Sequence, residues 1–474
     1  MTKTNRLFFI TIILTVVTVF AACGIIENDE YISGELNNSY EFQIEAMRAE
    51  FLEDLDYMQR LLEENFASFD VVYWARGVDI SAMFDAAREE ILIAEHLDLN
   101  TFGNILTERF LGLNNIAHFF IDVNLGASEH TITMVGYLTE KYRNERYFNA
   151  TSVGLMAIYE EVLKSEFWSG DEYRLVRLLS TSFHPEIAGE MVEILMSSGA
   201  DAALERYFVW LNETNYSHIT TEIIEDERIK YIGIRSFMDA IEYEDILNDL
   251  FNDIQDFEHL IIDLRGNPGG ISAVFDHFII APLISEPLTA EGFVFLSHGE
   301  YVNIPTLQST TSSMRYLANI ELIDRAWTPI NEVLANWDIP NLNINDMARM
   351  DYANRIYKEI QPRLLSQFDY QPAFNGKIWI LVDEFVRSGA QIVAWFAYET
   401  GFATLVGGTT GGNYSGTRTN VALPNTRVRV TFAMLYLTDT NGRPLEAGTV
   451  PHYFNRQGMD ALQTVLAMIE EGKH

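Results

Sequence analysis

The chain has 474 residues, of which 48% are hydrophobic and 12% aromatic. That is enough apolar material for two to three domains and argues against a disordered chain. Its formal net charge of −36 at pH 7 makes nucleic acid and anionic lipid headgroups poor candidate partners, because an acidic surface repels both. The single cysteine excludes intrachain disulfides and a cysteine-rich zinc site.

Residues 1–23 have the pattern of an export signal. Lys3 and Arg6 precede an apolar and threonine-containing stretch from Leu7 to Phe20, and Ala21-Ala22-Cys23 follows. This pattern is typical of a secretory signal peptide. It is similar to a bacterial lipoprotein signal, in which the cysteine is lipidated and becomes the new N-terminus. The sequence therefore predicts an exported lipoprotein, anchored through Cys23 to the bacterial cell membrane and facing outside the cytoplasm; an uncleaved N-terminal anchor is the alternative.

The first half of the chain has mainly helical patterns. Residues 24–40 are polar and lack periodicity, which predicts a linker. Apolar residues then recur at steps of three and four between Glu41 and Phe66, and similar patterns run through Ile80–Leu113 and residues 135–212. Residues 41–225 are therefore predicted to form a mainly helical N-terminal domain.

The pattern changes near Ile229 to strands that alternate with helices. Helices are predicted at Tyr243–Phe257 and at about Gly389–Thr400, and strands at Ile229–Ile234, His259–Leu264, Lys377–Val382, Ala403–Val406 and within Arg427–Leu437. A β-α-β order favours a parallel, buried sheet. Residues 226–474 are therefore predicted to form an α/β core, with a mixed and partly helical insertion at about 276–374.

Two turns in this core could carry chemistry. The strand before Leu264 ends in a Gly/Pro turn that reaches Gly270, and such a turn leaves backbone N–H groups free to stabilise an oxyanion. Ser388 falls at the predicted start of a helix, where free N–H groups and the helix dipole suit an attacking oxygen. The plain alternatives are an ordinary strand-ending turn and a serine that only caps its helix.

The order of these motifs resembles the tail-specific, or C-terminal processing, serine peptidase family, which includes the tricorn protease core. The resemblance covers about residues 229–275 and 377–455, and it is carried by Tyr231-Ile-Gly-Ile, Ser236-Phe237, the D-L-R-G-N-P-G-G turn, Ser388 before its helix, V-G-G-T-T-G-G and L-E-A-G-T-V-P. It implies a crotonase-like β-α spiral as the catalytic core. It also implies that Ser388 is the nucleophile and that Gly389, with Gly269 or Gly270, forms the oxyanion hole.

The general base departs from the best-known pattern of this family. Processing peptidases place a lysine in a later P-T-x-G-K-G loop, but the corresponding residue here is Asn413, and the only lysine after Ser388 is Lys473. Tricorn-like members use a histidine from a D-x-H-T-like motif, which the segment around His118 resembles loosely. The resemblance implies His118 as general base, oriented by Glu446. The alternatives are a core histidine and a solvated loop carboxylate.

No motif predicts a cofactor or a metal site. The glycine-rich Gly407–Gly412 lacks the Lys-Ser/Thr of a phosphate loop, no histidine pair has zinc-site spacing, and no calcium loop is present. The PDZ domain that processing peptidases usually carry is not recognisable between His118 and Ile229. The sequence thus predicts a serine-type peptidase that acts on peptides or loosely folded protein. An esterase-like enzyme and a catalytically inactive peptide- or ligand-binding lipoprotein on the same fold are the alternatives.

Overall fold

The protein is seen in a computed structural model, which describes residues 29–113, 116–122, 219–237, 250–251, 253–297, 318–364, 373–414 and 418–472, with 206, 299, 312 and 314–316. The predicted export signal with Cys23, the helical pattern at 135–212 and most of the predicted helix at Tyr243–Phe257 lie outside the described residues. Within the described part of the chain, no helix is both long and apolar enough to cross a membrane.

The N-terminal region is helical, as the periodicity predicts. It contains α1 (Asp29–Asn65), α2 (Phe69–Arg76), α3 (Ile80–Ile93) and α4 (Leu99–Arg109). The side chain of Asp79 caps α3 and that of Asp98 caps α4. Helix α1 begins at Asp29, so residues 29–40 are helical where a linker is predicted. The reason is that extending a helix already nucleated by its amphipathic part costs little.

A six-stranded sheet forms the centre of the α/β core. It is formed by β2 (Ile219–Glu225), β3 (Ile229–Ile234), β4 (His259–Asp263), β9 (Lys377–Val382), β10 (Thr404–Gly407) and β14 (Tyr453–Phe454). Their order across the sheet is β14-β10-β9-β4-β3-β2. All neighbours are parallel except β2 and β3. Every residue of β4 is buried, as expected for a parallel sheet that is covered on both faces.

Short and longer helices complete this part of the chain. They are α5 (Ser272–Phe275), a π-helical turn (Asp276–Ile280), α6 (Ala281–Leu283), α7 (Ile330–Asn336), α8 (Ile344–Met347), α9 (Gly389–Thr400) and α10 (Ala461–Glu470). Helix α9 has the predicted bounds, and nine of its twelve residues are buried. The expected α/β core, preceded by a mainly helical region, is confirmed.

The predicted insertion at 276–374 contains a second sheet, which the sequence does not reveal. This antiparallel sheet is formed by β5 (Leu288–Ser297), β6 (Glu321–Leu322), β7 (Thr328–Pro329), β8 (Met350–Ile360) and β13 (Leu435–Asp439). Two polar side chains of β8, Asn354 and Lys358, are fully buried. Lys358 forms an ion pair with Asp276 and Asn354 donates to Asp324 O at 3.0 Å. These buried polar residues interrupt the apolar pattern that would predict a strand.

A third, antiparallel sheet joins the two halves of the chain. Strand β1 (Phe120–Asp122) pairs with β12 (Arg429–Ala433), which pairs with β11 (Arg418–Ala422). One buried cluster contains Leu62 of α1 together with Phe432 of β12, and the ring of Phe66 meets that of Phe432 edge-on at 6.2 Å. The helical region and the α/β core therefore share a hydrophobic core across the predicted domain boundary.

Candidate active site

The two turns with candidate catalytic residues follow neighbouring parallel strands. Because β4 and β9 are adjacent and parallel, their carboxyl ends meet at one edge of the sheet, where α/β folds place ligand sites. The Asp383 carboxylate accepts the N–H groups of Gly266 at 3.0 Å and Phe385 at 2.9 Å, and Arg387 N–H donates to Asn267 O at 3.1 Å. These bonds fix the glycine turn against the serine turn.

The approach of the two turns requires glycine on both sides. A Cβ atom at Gly269 would lie 2.6 Å from Gly389 N and 2.8 Å from Ser388 Cβ. A Cβ atom at Gly389 would lie 2.3 Å from Gly270 O. Gly269 and Gly270 have φ angles of 105° and 119°, which side chains rarely tolerate. Gly269 and Gly270 therefore lie directly beside Ser388 and Gly389.

Ser388 stands at the N-cap position of α9 and is half-buried, with an unusual backbone conformation. Its φ is 52° and its ψ −120°, and its side chain makes no capping hydrogen bond. Ser388 thus occupies the N-cap position without capping the helix through its hydroxyl. A positive φ is unfavourable for a residue with a Cβ, and a similar strained turn presents the serine in α/β-hydrolases. The Ser388 N–H donates to Gly412 O at 2.9 Å.

The candidate oxyanion donors lie beside this serine. Gly389 is the first residue of α9, where N–H groups have no partner inside the helix. The Gly269 N–H already donates to Asn267 Oδ1 at 2.8 Å. Of the two glycines that the motif offers, Gly270 is therefore the better second donor.

His118 lies in a turn that is anchored to the α/β core. The turn precedes β1, and Ala117 O accepts the N–H of Ala433 at 3.1 Å. The His118 N–H donates to Asn413 Oδ1 at 2.7 Å. Both Ala117 and His118 have positive φ, at 46° and 55°. His118 is thus in a strained turn before a strand, rather than within an apolar strand.

Glu446 is buried and contacts the same turn. It is 4% exposed, so it is not a solvated loop carboxylate. Its Oε1 accepts the N–H of Ala117 at 3.0 Å and that of Asn413 at 3.1 Å, whereas its Oε2 has no hydrogen-bond partner among the described residues. Burial raises the pKa of Glu446 to about 7, although Arg76 and the two N–H donors act in the opposite direction.

Strained backbone is concentrated where these segments meet. Of the seven described non-glycine residues with positive φ, four belong to this region: Ala117, His118, Ser388 and Asn413. Asn413 connects them, because it bonds both His118 and Glu446 and follows the Gly412 that accepts from Ser388. Strain of this kind persists where the surrounding structure over-determines it, and it is typical of functional sites.

Sequence reasoning missed the residues that support the site. Asp383 and Asn267 bind the two turns together, and each directly follows or lies close to the end of a buried strand, which is the signal that could have identified them. A further network joins Gln391, Thr410 and Thr449: Gln391 donates to Thr449 Oγ1 at 2.9 Å, and Thr410 hydrogen-bonds Gln391. It links helix α9 to the loop that contains Glu446.

The buried Asp263 explains the charged part of the D-L-R motif. It is fully buried at the end of β4 and accepts hydrogen bonds from Arg265, Arg235 and the Tyr231 hydroxyl. Burial alone would raise the pKa of Asp263, but Arg265 and Arg235 together keep it below its ordinary value. Asp263 therefore stays ionised and fixes the start of the glycine turn.

Among the described residues, no group of three or more histidine, cysteine or acidic side chains could hold a metal ion.

Residues 228–453 match the model of peptidase family S41. The α/β core of the chain therefore belongs to peptidase family S41. The matched S41 segment contains Gly269, Gly270, Ser388, Gly389 and Glu446, whereas His118 lies before it. The comparison with curated proteins finds no match.

Several solved structures are similar to this S41 chain. A candidate peptidase from Parabacteroides merdae is 14% identical, with 90% of this chain and 96% of that one covered and a TM-score of 0.48. Mature CPAF complexed with lactacystin is 12% identical, with 90% and 98% covered and a TM-score of 0.47. The photosystem II D1 C-terminal processing protease is 11% identical, with 54% and 53% covered and a TM-score of 0.31.

Proposed function

We propose that this S41 family member is a serine-type peptidase with Ser388 as its nucleophile and His118 as its general base. The observation that carries the proposal is Ser388 itself, which has a strained positive φ, no side-chain capping bond and the glycine turn packed closely beside it. Membership of a peptidase family makes peptides or loosely folded proteins the substrate class.

In the proposed mechanism, Ser388 Oγ attacks the carbonyl carbon of the scissile peptide bond while His118 accepts the hydroxyl proton. The N–H groups of Gly389 and Gly270 stabilise the oxyanion that forms. His118 then gives its proton to the leaving amine, and water enters by the same route to release the acyl group from Ser388. Glu446 acts as a positioning residue, because it holds the N–H groups of Ala117 and Asn413 on either side of the histidine turn.

The replacement of the family's lysine supports a histidine base. Asn413 occupies the lysine position, and its Oδ1 accepts the His118 N–H at 2.7 Å. The Asn413 amide therefore holds the backbone of the candidate base. In family members that keep the lysine, the amine at this position is itself the base. An unactivated serine hydroxyl is a weak nucleophile, so activity requires such a base.

The test is covalent labelling with a fluorophosphonate probe, which reacts with activated serines. We expect the wild-type chain to be labelled at Ser388, and we expect Ser388→Ala to lose both the label and any peptide cleavage. Ser285→Ala is the matched control, because Ser285 is an exposed serine away from the two turns, and it should be labelled like the wild type. Undiminished labelling of Ser388→Ala would sink the assignment of the nucleophile.

A catalytically inactive peptide- or ligand-binding protein on the same fold is the second candidate, and the loss of the family's lysine at Asn413 motivates it. It predicts a folded wild-type chain that no fluorophosphonate labels and that binds peptides without cleaving them. An esterase-like enzyme would be labelled but would hydrolyse small esters and leave peptides intact. Product analysis with both substrate types therefore separates the three candidates.

We also propose that the protein is exported and anchored to the cell membrane through a lipid on Cys23. The support is the signal-like pattern of residues 1–23, with small residues before the cysteine. Cys23→Ala should move the protein from the membrane fraction to the soluble exported fraction. Membrane retention of the Cys23→Ala protein at the wild-type level would contradict lipidation as the anchor.

A further inference from the structure

A cavity of about 510 Å³ lies beside helix α9, on a part of the helix away from Ser388. Trp395, Tyr398 and Glu399 line it from the C-terminal half of α9, and the loop that flanks Glu446 lines it from the other side. At a rise of about 1.5 Å per residue, Trp395 lies roughly 10 Å along the helix from Ser388. The cavity is therefore near the candidate active site but separate from it.

The cavity has two carboxylates in its wall, Glu399 and Asp439. The Asp439 carboxylate accepts the backbone N–H groups of Asn441 and Arg443, each at 2.9 Å. Glu399 receives only a long bond of 3.4 Å from the Thr440 hydroxyl. Burial, and then the nearby charge of Asp439, raise the pKa of Glu399. Glu399 therefore lies where a cationic group would relieve both the desolvation and the repulsion.

Aromatic rings form much of the remaining wall. Trp74, Trp395 and Tyr398 all line the cavity, and the faces of such rings attract guanidinium and ammonium groups. The Trp395 Nε1 is buried and has no hydrogen-bond partner among the described residues. A buried donor without an acceptor is costly, and this one belongs to a residue of the cavity wall. Arg443 is the positively charged residue among the described residues that line this cavity, and it is exposed.

The cavity is connected to the catalytic segments by hydrogen bonds. Thr449 lines the cavity, and its Oγ1 accepts from Gln391, one turn of α9 after Ser388. The Thr449 N–H donates to Thr410 Oγ1 at 2.6 Å. A ligand in the cavity would therefore contact the same loop that holds Glu446 under the histidine turn.

We propose that this cavity binds a basic side chain, a guanidinium or an ammonium group, of a peptide substrate. The charge is matched by Glu399 and Asp439, and the flat face of the cation by the exposed rings of Trp74 and Tyr398. This inference rests on the proposed peptidase function, because the basic side chain would lie a few residues from the peptide bond that Ser388 attacks. Binding of the basic group can nevertheless be measured without cleavage.

The test uses the full chain carrying Ser388→Ala, so that binding is measured without cleavage. The probes are N-acetyl-arginine amide and N-acetyl-citrulline amide, which share a shape but differ in charge, and the readouts are tryptophan fluorescence and calorimetric titration. We expect the arginine probe to bind at least tenfold more tightly than the citrulline probe. We also expect its binding to weaken with added salt, because the carboxylates are only partly buried.

Variants of Glu399 locate the binding. Glu399→Gln should weaken binding of the arginine probe at least fivefold, and Glu399→Lys should abolish it, whereas Glu286→Gln, which removes an exposed carboxylate elsewhere, should bind like the parent. Equal binding of the two probes, no binding of either, or undiminished binding by Glu399→Lys would overturn the inference. Because these titrations need no active serine, a failure of labelling at Ser388 would overturn the peptidase proposal and leave this result standing.

Discussion

At the scale of single residues, strain and its compensation characterise the candidate site. Ala117, His118, Ser388 and Asn413 each have a positive φ, and such a conformation costs on the order of 1–3 kcal/mol per residue. Their backbone N–H groups are satisfied where they meet: those of Ala117 and Asn413 by Glu446, that of His118 by Asn413, and that of Ser388 by Gly412. Glu446 is therefore central to holding the turn in place.

The ionisation of Glu446 should make stability depend on pH. Burial raises the pKa of Glu446 from 4.5 to about 7. Because the folded pKa is above the unfolded one, the stabilisation that this group contributes is complete below about pH 4.5 and is lost as the pH rises through about 7. Glu446→Gln keeps an acceptor for the two N–H groups but cannot ionise. Relative to the wild type, it should gain stability from pH 5 to pH 8, by an amount on the order of 3 kcal/mol.

Urea unfolding of both proteins at pH 5, 6, 7 and 8 measures this difference. Glu286→Gln serves as the control, because it makes the same chemical change at an exposed carboxyl. A Glu446→Gln difference that stays constant from pH 5 to pH 8 would contradict a raised pKa for Glu446.

The identity of the residues in the site is readable from sequence, but their contacts are not. Ser388, Gly389 and the two glycines follow from local patterns, namely a buried strand, a turn and a helix start. The role of Asn413 cannot be read in this way, because its partners His118 and Glu446 come from distant segments. From the sequence alone, the missing lysine indicates the loss of a catalytic base. In the structure, Asn413 at the lysine position accepts a hydrogen bond from the His118 backbone N–H.

At the scale of elements, two turns after parallel strands create the site. The turn after β4 and the turn after β9 are joined through Asp383 and Asn267. Their close approach is possible only because Gly269 and Gly389 have no side chain. Gly266, another glycine of the same turn with a positive φ, offers a matched comparison, since a Cβ there would meet nothing within 4 Å.

Gly269→Ala should therefore abolish fluorophosphonate labelling, because its Cβ would collide with Ser388 Cβ and Gly389 N. In Gly266→Ala, the alanine must adopt the φ of 76° that Gly266 has, which costs about 1 kcal/mol of stability. Ser388 in this variant should still be labelled. Labelling and thermal unfolding of both variants measure the two effects separately. Equal labelling of Gly269→Ala and Gly266→Ala would mean that the close packing of the turns is not needed.

The elements that form this site were also the most predictable. Strands β3 and β9 and helix α9 have the bounds that the pattern predicts, because each is dominated by consecutive buried apolar residues. Strand β8 was missed because Lys358 and Asn354 point to the interior and are satisfied there by Asp276 and by the segment around Asp324. Such pairing is a tertiary property, so periodicity cannot reveal it.

At the scale of the whole molecule, the third sheet attaches the turn that contains His118 to the α/β core. His118 and Ser388 are far apart in sequence, and His118 lies outside the segment that matches the S41 model. Strand β1, directly after His118, pairs with β12 of the α/β core, and the helices share a hydrophobic cluster with β12. The described N-terminal helices and β1 are thus an integral part of the fold, and the turn between them contains the candidate base, which a loose sequence motif could only suggest.

The most direct test of this account is the rate at which a fluorophosphonate labels Ser388 in His118→Ala compared with the wild type. A general base contributes on the order of 10²- to 10⁴-fold, so the rate should fall by about two orders of magnitude or more while thermal unfolding stays close to that of the wild type. His96→Ala, which removes an exposed histidine, should react at the wild-type rate. An unchanged labelling rate in folded His118→Ala would contradict the central claim that His118 activates Ser388.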